Sequence, residues 1–120
     1  MKERNTILIA DDNPQITSIL VSYCKKEGYE TIVAIDGYDT LNKLTSDVDL
    51  VLLDVMMPKL DGFSVCKEIR KDSNVPIIMV TARGEDYEKI MGLDIGADDY
   101  IVKPFEDTRI VSTLKKALMV

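Results

Sequence analysis

The sequence predicts a single α/β domain in which a parallel five-stranded β-sheet is covered by helices on both faces. Three observations support this prediction. The 120-residue chain alternates short apolar runs with amphipathic stretches from end to end, the pattern of parallel strands joined by crossover helices. The apolar runs contain almost no polar residues, whereas strands of a half-exposed sheet would alternate. A chain of this length builds one hydrophobic core and is too short for two domains, so we expect one domain over residues 1–120.

The first half of the chain contains three predicted strands and two predicted helices. Residues 6–10 form an uninterrupted apolar strand. Residues 14–27 place apolar side chains at helical spacing, with Pro14 in the first turn and Gly28 as the predicted end. Residues 30–35 predict a second strand, residues 38–44 a short helix, and residues 50–53 a third strand.

The second half repeats the alternation. A turn-rich segment follows the third strand and leads into a predicted helix over residues 63–71. Residues 76–80 predict the fourth strand, and residues 86–95 a fourth helix that Gly96 ends. Residues 100–102 predict the fifth strand. Residues 106–119 predict the last helix, which presents one apolar face that includes Ile110 and Leu114.

Composition excludes several classes of function. The formal charge of -6 disfavours direct binding to nucleic acid or to anionic lipid. The chain has no histidine, which excludes His-based catalysis and the usual zinc sites. No apolar run approaches the roughly 20 residues of a membrane helix, and the polar start is not a signal peptide. Cys24 and Cys66 lack metal or redox spacing, so we expect buried thiols in a cytoplasmic protein.

Polar residues follow four of the five predicted strands. Asp11 and Asp12 follow the first strand, Asp54 the third, Thr81 the fourth and Lys103 the fifth. In an open parallel sheet, the carboxyl ends of the strands form the ligand-binding edge. We therefore expect these side chains to meet at one edge of the sheet.

Each of these residues also has an ordinary structural interpretation. The segment Asp12-Asn13-Pro14 is typical of a helix N-cap followed by proline at the first helical position. Thr81 is typical of a strand end, and Lys103 before a proline is typical of an exposed turn. Asp54 interrupts an otherwise apolar run, which is unusual for a solvated side chain. The structural interpretations do not explain why the residues occur together.

The combination indicates a phosphoryl-transfer site. Carboxylates held together raise one another's pKa unless a cation lies among them, and without histidine or thiolate ligands Mg²⁺ is the favoured ion. Lys103 and Thr81 offer a cation and a hydroxyl to the same phosphate. No Ser, Cys or His belongs to this set of strand-end residues, so a carboxylate is the nucleophile and the product is an aspartyl phosphate. We predict Asp54 as the acceptor, with Asp11 and Asp12 holding the metal.

Four segments resemble the receiver domain of bacterial two-component response regulators. They are residues 7–13 (ILIADDN), 51–62 (VLLDVMMPKLDG), 76–82 (PIIMVTA) and 96–105 (GADDYIVKPF). Their order and spacing match the family, and the resemblance covers the whole chain. It implies the flavodoxin-like, doubly wound fold with strand order 2-1-3-4-5.

The resemblance also implies roles for the site residues. Asp54 would accept a phosphoryl group from a phosphohistidine on a sensor histidine kinase. Asp11, Asp12 and Asp54 would bind Mg²⁺ together with the main-chain carbonyl of Met56. Lys103 would neutralise the phosphoryl oxygens, and the Lys103–Pro104 peptide bond would be cis. The domain would act as a signalling switch rather than as a turnover enzyme.

The resemblance assigns the switch and the lifetime of the phosphorylated state to four positions. Thr81 would bond a phosphoryl oxygen and Tyr100 would rotate inward, which changes the surface of the fourth helix, fifth strand and last helix. Met56 and Arg83 would tune the lifetime. Because an apolar side chain at Met56 does not orient an attacking water, we expect slow self-dephosphorylation.

The segment 96–100 is most similar to the branch whose receivers precede a winged-helix DNA-binding domain. Members of that branch form homodimers through the same surface with cross-dimer ion pairs. This chain retains Lys89, Asp98 and Asp99. It has Arg109 where the branch usually has Glu and Thr113 where it usually has Arg, and both changes weigh against that dimer.

Several alternatives remain beside a transcriptional regulator whose effector domain lies beyond Val120. A standalone receiver that acts by protein contacts or in a phosphorelay would have the same sequence. A Mg²⁺-dependent aspartyl-phosphate phosphatase also uses carboxylates and a lysine, but normally spaces its two acids two residues apart and carries a cap domain. A flavodoxin-like electron carrier is disfavoured, because it needs a neutral loop after the first strand and Asp11 and Asp12 have the wrong charge. A nucleotide-binding domain is disfavoured as well, because the sequence has no glycine-rich phosphate loop.

Overall fold

Five parallel strands form the centre of the molecule. A computed structural model of the chain describes residues 4–82 and 95–119. The strands are β1 (Thr6–Ala10), β2 (Glu30–Ala34), β3 (Leu50–Asp54), β4 (Ile77–Thr81) and β5 (Asp99–Val102). Their order in the sheet is β2-β1-β3-β4-β5, and every neighbouring pair is parallel. The predicted fold class and strand order are confirmed.

Helices connect the strands and cover the sheet. The described helices are α1 (Pro14–Lys26), α2 (Gly37–Lys43), α3 (Gly62–Arg70) and the C-terminal helix (Asp107–Leu118). The ends of these helices and of the strands lie within one residue of the predicted positions. The predicted helix over residues 86–95 falls outside the described residues except for Ile95.

The hydrophobic core consists of two clusters, one on each face of the sheet. Successive strand residues point to opposite faces, so Leu8 and Leu53 join one cluster, whereas Ile9 and Leu52 join the other. The first cluster packs against α3, and the second against α1 and the C-terminal helix. Because both faces are covered, the strands β1, β3 and β4 are buried along their whole length.

The four described helices begin at the edge of the sheet formed by the carboxyl ends of the strands, and three of them have side-chain caps. Asn13 caps α1 by accepting a hydrogen bond from the Gln15 N–H at 2.9 Å. Asp36 accepts from the Asp39 N–H at 2.8 Å, and Asp61 caps α3 in the same way. These caps hold the loops after β1, β2 and β3 in defined positions beside the site described below.

The two cysteines lie in opposite core clusters, Cys66 in the first and Cys24 in the second. Both are buried free thiols, as predicted, and burial raises the pKa of Cys24 to about 12. Among the helices of residues 4–82 and 95–119, none combines the length and the apolar character that crossing a membrane requires.

Candidate functional site

The five predicted site residues all lie at one edge of the sheet. Asp54 and Thr81 are the last residues of β3 and β4, Asp11 and Asp12 follow β1, and Lys103 follows β5. The strands are in register at this edge, since Asp54 pairs with Val80 and Thr81 with Val102. The main-chain N–H of Lys103 donates to the Thr81 carbonyl at 2.7 Å. Residues far apart in sequence therefore converge because parallel strands end together.

Three carboxylates form the centre of this edge. One oxygen of each of Asp11, Asp12 and Asp54 lies within 4.8 Å of the others. Asp11 and Asp54 are 3% and 5% exposed, whereas Asp12 faces solvent. The Asn13 N–H donates to Oδ1 of Asp11 at 2.9 Å and holds that carboxylate in place.

Lys103 supplies the positive charge within the carboxylate cluster. Its ammonium group donates to Oδ2 of Asp11 at 3.1 Å and to Oδ1 of Asp54 at 3.4 Å. The lysine side chain is only 17% exposed, so these ion pairs are formed away from bulk solvent. The peptide bond between Lys103 and Pro104 is cis.

The surroundings of Asp54 raise its pKa from the ordinary 3.8 to about 6. Burial is the main cause, and the nearby negative charge of Asp11 adds to it. The ammonium group of Lys103 and a hydrogen bond from the Met56 N–H act in the opposite direction. Asp54 therefore still ionises below neutral pH, and an additional cation nearby would stabilise its ionised form.

The donor set of this edge fits a hard divalent cation. Three carboxylates offset by one ammonium leave an excess of two negative charges when all four groups are ionised. Mg²⁺ prefers oxygen ligands and is typically bound through one or two carboxylates while retaining waters and phosphate oxygens. Asp11, Asp12 and Asp54 meet these requirements, and the exposed Asp12 leaves one side of the cluster open to solvent.

The remaining predicted positions are distributed around this centre. Thr81 is fully buried, and Tyr100 is half-buried against the core cluster on the α3 side. Met56 lies two residues after Asp54 with its side chain 59% exposed. Arg83 and Lys89 lie outside the described residues.

Residues predicted to weaken a dimer have contacts within the chain. The Arg109 guanidinium donates to the Tyr100 carbonyl at 3.1 Å, and the buried Thr113 hydroxyl donates to the Arg109 carbonyl at 2.7 Å. Asp98 accepts hydrogen bonds from Arg70 at 3.0 Å and from the Ile77 N–H at 2.8 Å. The Arg70–Asp98 pair joins residues 28 positions apart and has no local sequence signal that could have indicated it.

Asn13 has a part in the site that was not predicted from the sequence. Its main-chain N–H orients Asp11, while its side chain caps α1. The signal was present, because an Asn followed by Pro at the first helical position is typical of a helix start. When a capped helix begins directly after Asp11, the backbone N–H groups at the start of that helix point towards the site.

This fold with these residues at its carboxyl edge is that of a signalling receiver. The family model of the response regulator receiver domain matches residues 7–115. The chain therefore belongs to the response regulator receiver domain family.

Curated relatives are named as transcriptional regulators. The chain is 46% identical over 112 residues to a CpxR homolog of Haemophilus influenzae, covering 93% of this chain and 49% of that protein. It is 49% identical over 120 residues to the probable transcriptional regulator ycf27 of Pyropia yezoensis, covering 96% and 49%. The chain thus spans about half the length of these relatives.

Solved structures show the same architecture. A putative response regulator from Chloroflexus aurantiacus superposes with a TM-score of 0.90 at 34% identity, covering 98% of this chain and all of that one. The chemotaxis protein CheY4 of Vibrio cholerae superposes with a TM-score of 0.88 at 31% identity, covering 96% and 99%.

Proposed function

We propose that this receiver domain takes a phosphoryl group from a phosphohistidine of a sensor histidine kinase onto Asp54, with Mg²⁺ as cofactor. The observation that carries the proposal is the position of Lys103, whose ammonium group lies between the buried carboxylates of Asp11 and Asp54. A cation and a nucleophilic carboxylate beside a metal-binding acid cluster are the groups that phosphoryl transfer requires.

In the proposed step, one carboxylate oxygen of Asp54 attacks the phosphorus atom. A P–O bond forms, the P–N bond to the kinase histidine breaks, and its electron pair remains on the imidazole. Asp54 must be ionised to attack, and a pKa of about 6 leaves most of it ionised at neutral pH. Asp11, Asp12, Asp54 and the main-chain carbonyl of Met56 would hold Mg²⁺, which supplies neutralisation of the phosphoryl charge.

Lys103 and Thr81 act on the phosphoryl oxygens once the group is attached. The ammonium group, now 3.4 Å from Asp54, pairs with one oxygen, and the Thr81 hydroxyl donates to another. Tyr100 follows Thr81 inward. Tyr100 belongs to β5, and its carbonyl accepts a hydrogen bond from Arg109 of the C-terminal helix. Its movement would therefore change the surface formed by β5 and the C-terminal helix.

The output we propose is regulation of transcription in the cytoplasm through a winged-helix DNA-binding domain outside these 120 residues. The relatives are named as transcriptional regulators, and the chain matches about half of their length; both observations support this output. The formal charge of -6 supports a receiver that does not itself contact DNA. On this account the domain is a switch that reacts once per signal and not a turnover enzyme.

The experiment that tests the proposed function is incubation with acetyl phosphate, followed by mass spectrometry of the intact protein. We expect one added phosphoryl group with Mg²⁺, little with EDTA, and loss of the group on treatment with hydroxylamine, which cleaves acyl phosphates. Asp54→Ala should remain unmodified. An adduct that resists hydroxylamine, or one of equal yield in Asp54→Ala, would contradict the proposal.

A further inference from the structure

The loop between β3 and α3, residues 55–61, lies against the site on one side. It begins directly after Asp54 and includes Met56, whose N–H donates to the Asp54 carboxylate. The loop is closed by a hydrogen bond of 2.9 Å from the Gly62 N–H to the Val55 carbonyl. Gly62 lies so close to the Asp54 carbonyl oxygen that a Cβ atom there would overlap it.

The same loop lies against the start of α2 on its other side. Gly37, the first residue of α2, packs against the main chain of Leu60, and a Cβ atom on Gly37 would overlap the Leu60 carbonyl oxygen and Cβ. Asp36, which is 7% exposed, caps α2 through Oδ1. Its other oxygen, Oδ2, lies 3.5 Å from the Lys59 ammonium group.

The backbone of the loop depends on these contacts. Lys59 adopts φ of +70°, a conformation that side-chain-bearing residues rarely adopt without support from their surroundings. The support comes from the Leu60 N–H, which donates to the Pro58 carbonyl at 2.8 Å, from the ion pair with Asp36 and from the packing of Leu60 on Gly37. The β3–α3 loop is thus held between the end of β3 and the beginning of α2, with a glycine at each contact.

We propose that Gly37 and the Asp36–Lys59 ion pair are positioning residues for the site, which hold the β3–α3 loop so that the Met56 main chain faces Asp54. The inference rests on the proposed function for its consequence, because the Met56 carbonyl is the ligand that the loop would present to Mg²⁺. A displaced loop moves both the Met56 N–H and its carbonyl. The acid cluster, which belongs to the ends of β1 and β3, stays where it is.

The two contacts differ in strength. The steric contact at Gly37 involves main-chain atoms that cannot move without shifting the loop, so Gly37→Ala should weaken Mg²⁺ binding about tenfold, the usual effect of disturbing groups that orient metal ligands. Lys59 is 66% exposed, and an ion pair of this kind contributes little. Lys59→Met should therefore weaken binding only about two- to fivefold, and Lys59→Arg should restore it.

The experiment is calorimetric titration of Mg²⁺ into each folded variant, well below its melting temperature. The chain provides matched controls. Gly96→Ala introduces a Cβ that meets the Arg70 side chain at the opposite end of the sheet, so it should lower the melting temperature without changing the affinity for Mg²⁺. Lys71→Met removes an equally exposed lysine that pairs with Glu68, and it should also leave the affinity unchanged.

A second measurement follows the loop without metal. In ¹H–¹⁵N spectra of the metal-free protein, Gly37→Ala and Lys59→Met should shift the Met56 amide resonance, whereas Gly96→Ala should not. If the natural protein bound no Mg²⁺, the proposed cofactor would be wrong, but an altered Met56 resonance would still support the positioning role. Wild-type Mg²⁺ affinity in Gly37→Ala, or an unchanged Met56 resonance in that variant, would overturn the inference.

Discussion

The Lys103 ammonium group lies 3.4 Å from Oδ1 of Asp54, and both side chains are largely removed from solvent. Lys103 reaches Asp11 as well, at 3.1 Å, so one lysine compensates two buried acids. Phosphorylation of Asp54 would add negative charge where this ammonium group already lies. The lysine can therefore pair with the phosphoryl oxygens without a large rearrangement, which is how a preorganised charge lowers the barrier to transfer.

Lys103→Met should separate metal binding from phosphoryl transfer. Removing the ammonium group takes away a cation that competes for Asp11 and Asp54, so the affinity for Mg²⁺ should be unchanged or higher. The rate of phosphorylation by acetyl phosphate should fall about a hundredfold, because one preorganised charge on the transferred group is lost. The rate is measured by mass spectrometry of samples quenched at successive times at saturating Mg²⁺, with Lys71→Met as the control. Phosphorylation of Lys103→Met at the normal rate would remove the lysine from the mechanism.

The raised pKa of Asp54 predicts a pH-dependent instability of the metal-free protein. Between its ordinary pKa of 3.8 and about 6, the folded protein retains a proton that the unfolded chain has lost. The contribution of Asp54 to the free energy of unfolding therefore falls as the pH rises through that interval. Asp54→Asn should stabilise the protein at pH 7 in EDTA by about 1–3 kcal/mol, and the difference should shrink towards pH 4.

Urea unfolding in EDTA at several pH values measures this dependence. Asp72→Asn, at an exposed position just after α3, is the control for removing one carboxylate charge far from the site. A stability difference between Asp54→Asn and the natural protein that does not change with pH would show that burial and Asp11 do not perturb this carboxyl group.

Met56 predicts a long-lived phosphorylated state. Its exposed side chain lies two residues after Asp54, and its thioether sulfur is too weak a hydrogen-bond acceptor to orient an attacking water. The isolated phosphoprotein should retain its label well beyond seconds in the presence of Mg²⁺. Met56→Glu should shorten the lifetime severalfold by supplying an acceptor for that water. Loss of the label from the natural protein within seconds, or an unchanged lifetime in Met56→Glu, would show that this position does not limit hydrolysis.

Activation should not produce a tight dimer through β5 and the C-terminal helix. Thr113 is buried and neutral, and Asp98 already accepts hydrogen bonds from Arg70 and from the Ile77 N–H. Sedimentation velocity should therefore show a monomer with Mg²⁺ and beryllofluoride, an analogue of the phosphoryl group. Arg109→Glu, alone or with Thr113→Arg, should increase self-association under the same conditions. A tight beryllofluoride-dependent dimer of the natural chain that Arg109→Glu weakens would contradict this expectation.

The fold was predictable because its signals are local. Each strand of a doubly covered parallel sheet is an apolar run, and its end is marked by the first polar or turn residue, as Ala10 followed by Asp11 illustrates. Helix starts were equally local, since Asn13 before Pro14 marks the beginning of α1. The residues of the candidate site followed from the topology, because parallel strands bring their carboxyl ends to one edge.

The contacts that define the site were not predictable in the same way. Lys103 and Asp11 are 92 residues apart, and which oxygen the ammonium group meets depends on side-chain packing between distant strands. The approach of Gly37 to Leu60 also joins the start of α2 to the β3–α3 loop, two segments whose sequences carry no mutual signal. Such contacts arise from tertiary packing, which a single sequence does not encode in any local pattern.

The central claim is that Asp54, and no other acid of the cluster, carries the phosphoryl group. Reduction of the phosphorylated protein with borohydride converts an aspartyl phosphate to homoserine, and tandem mass spectrometry of the digested chain then locates the changed residue. We predict homoserine at position 54 alone, dependent on both acetyl phosphate and Mg²⁺. Homoserine at position 11 or 12, or an unreduced phosphoryl group on another residue, would contradict the account.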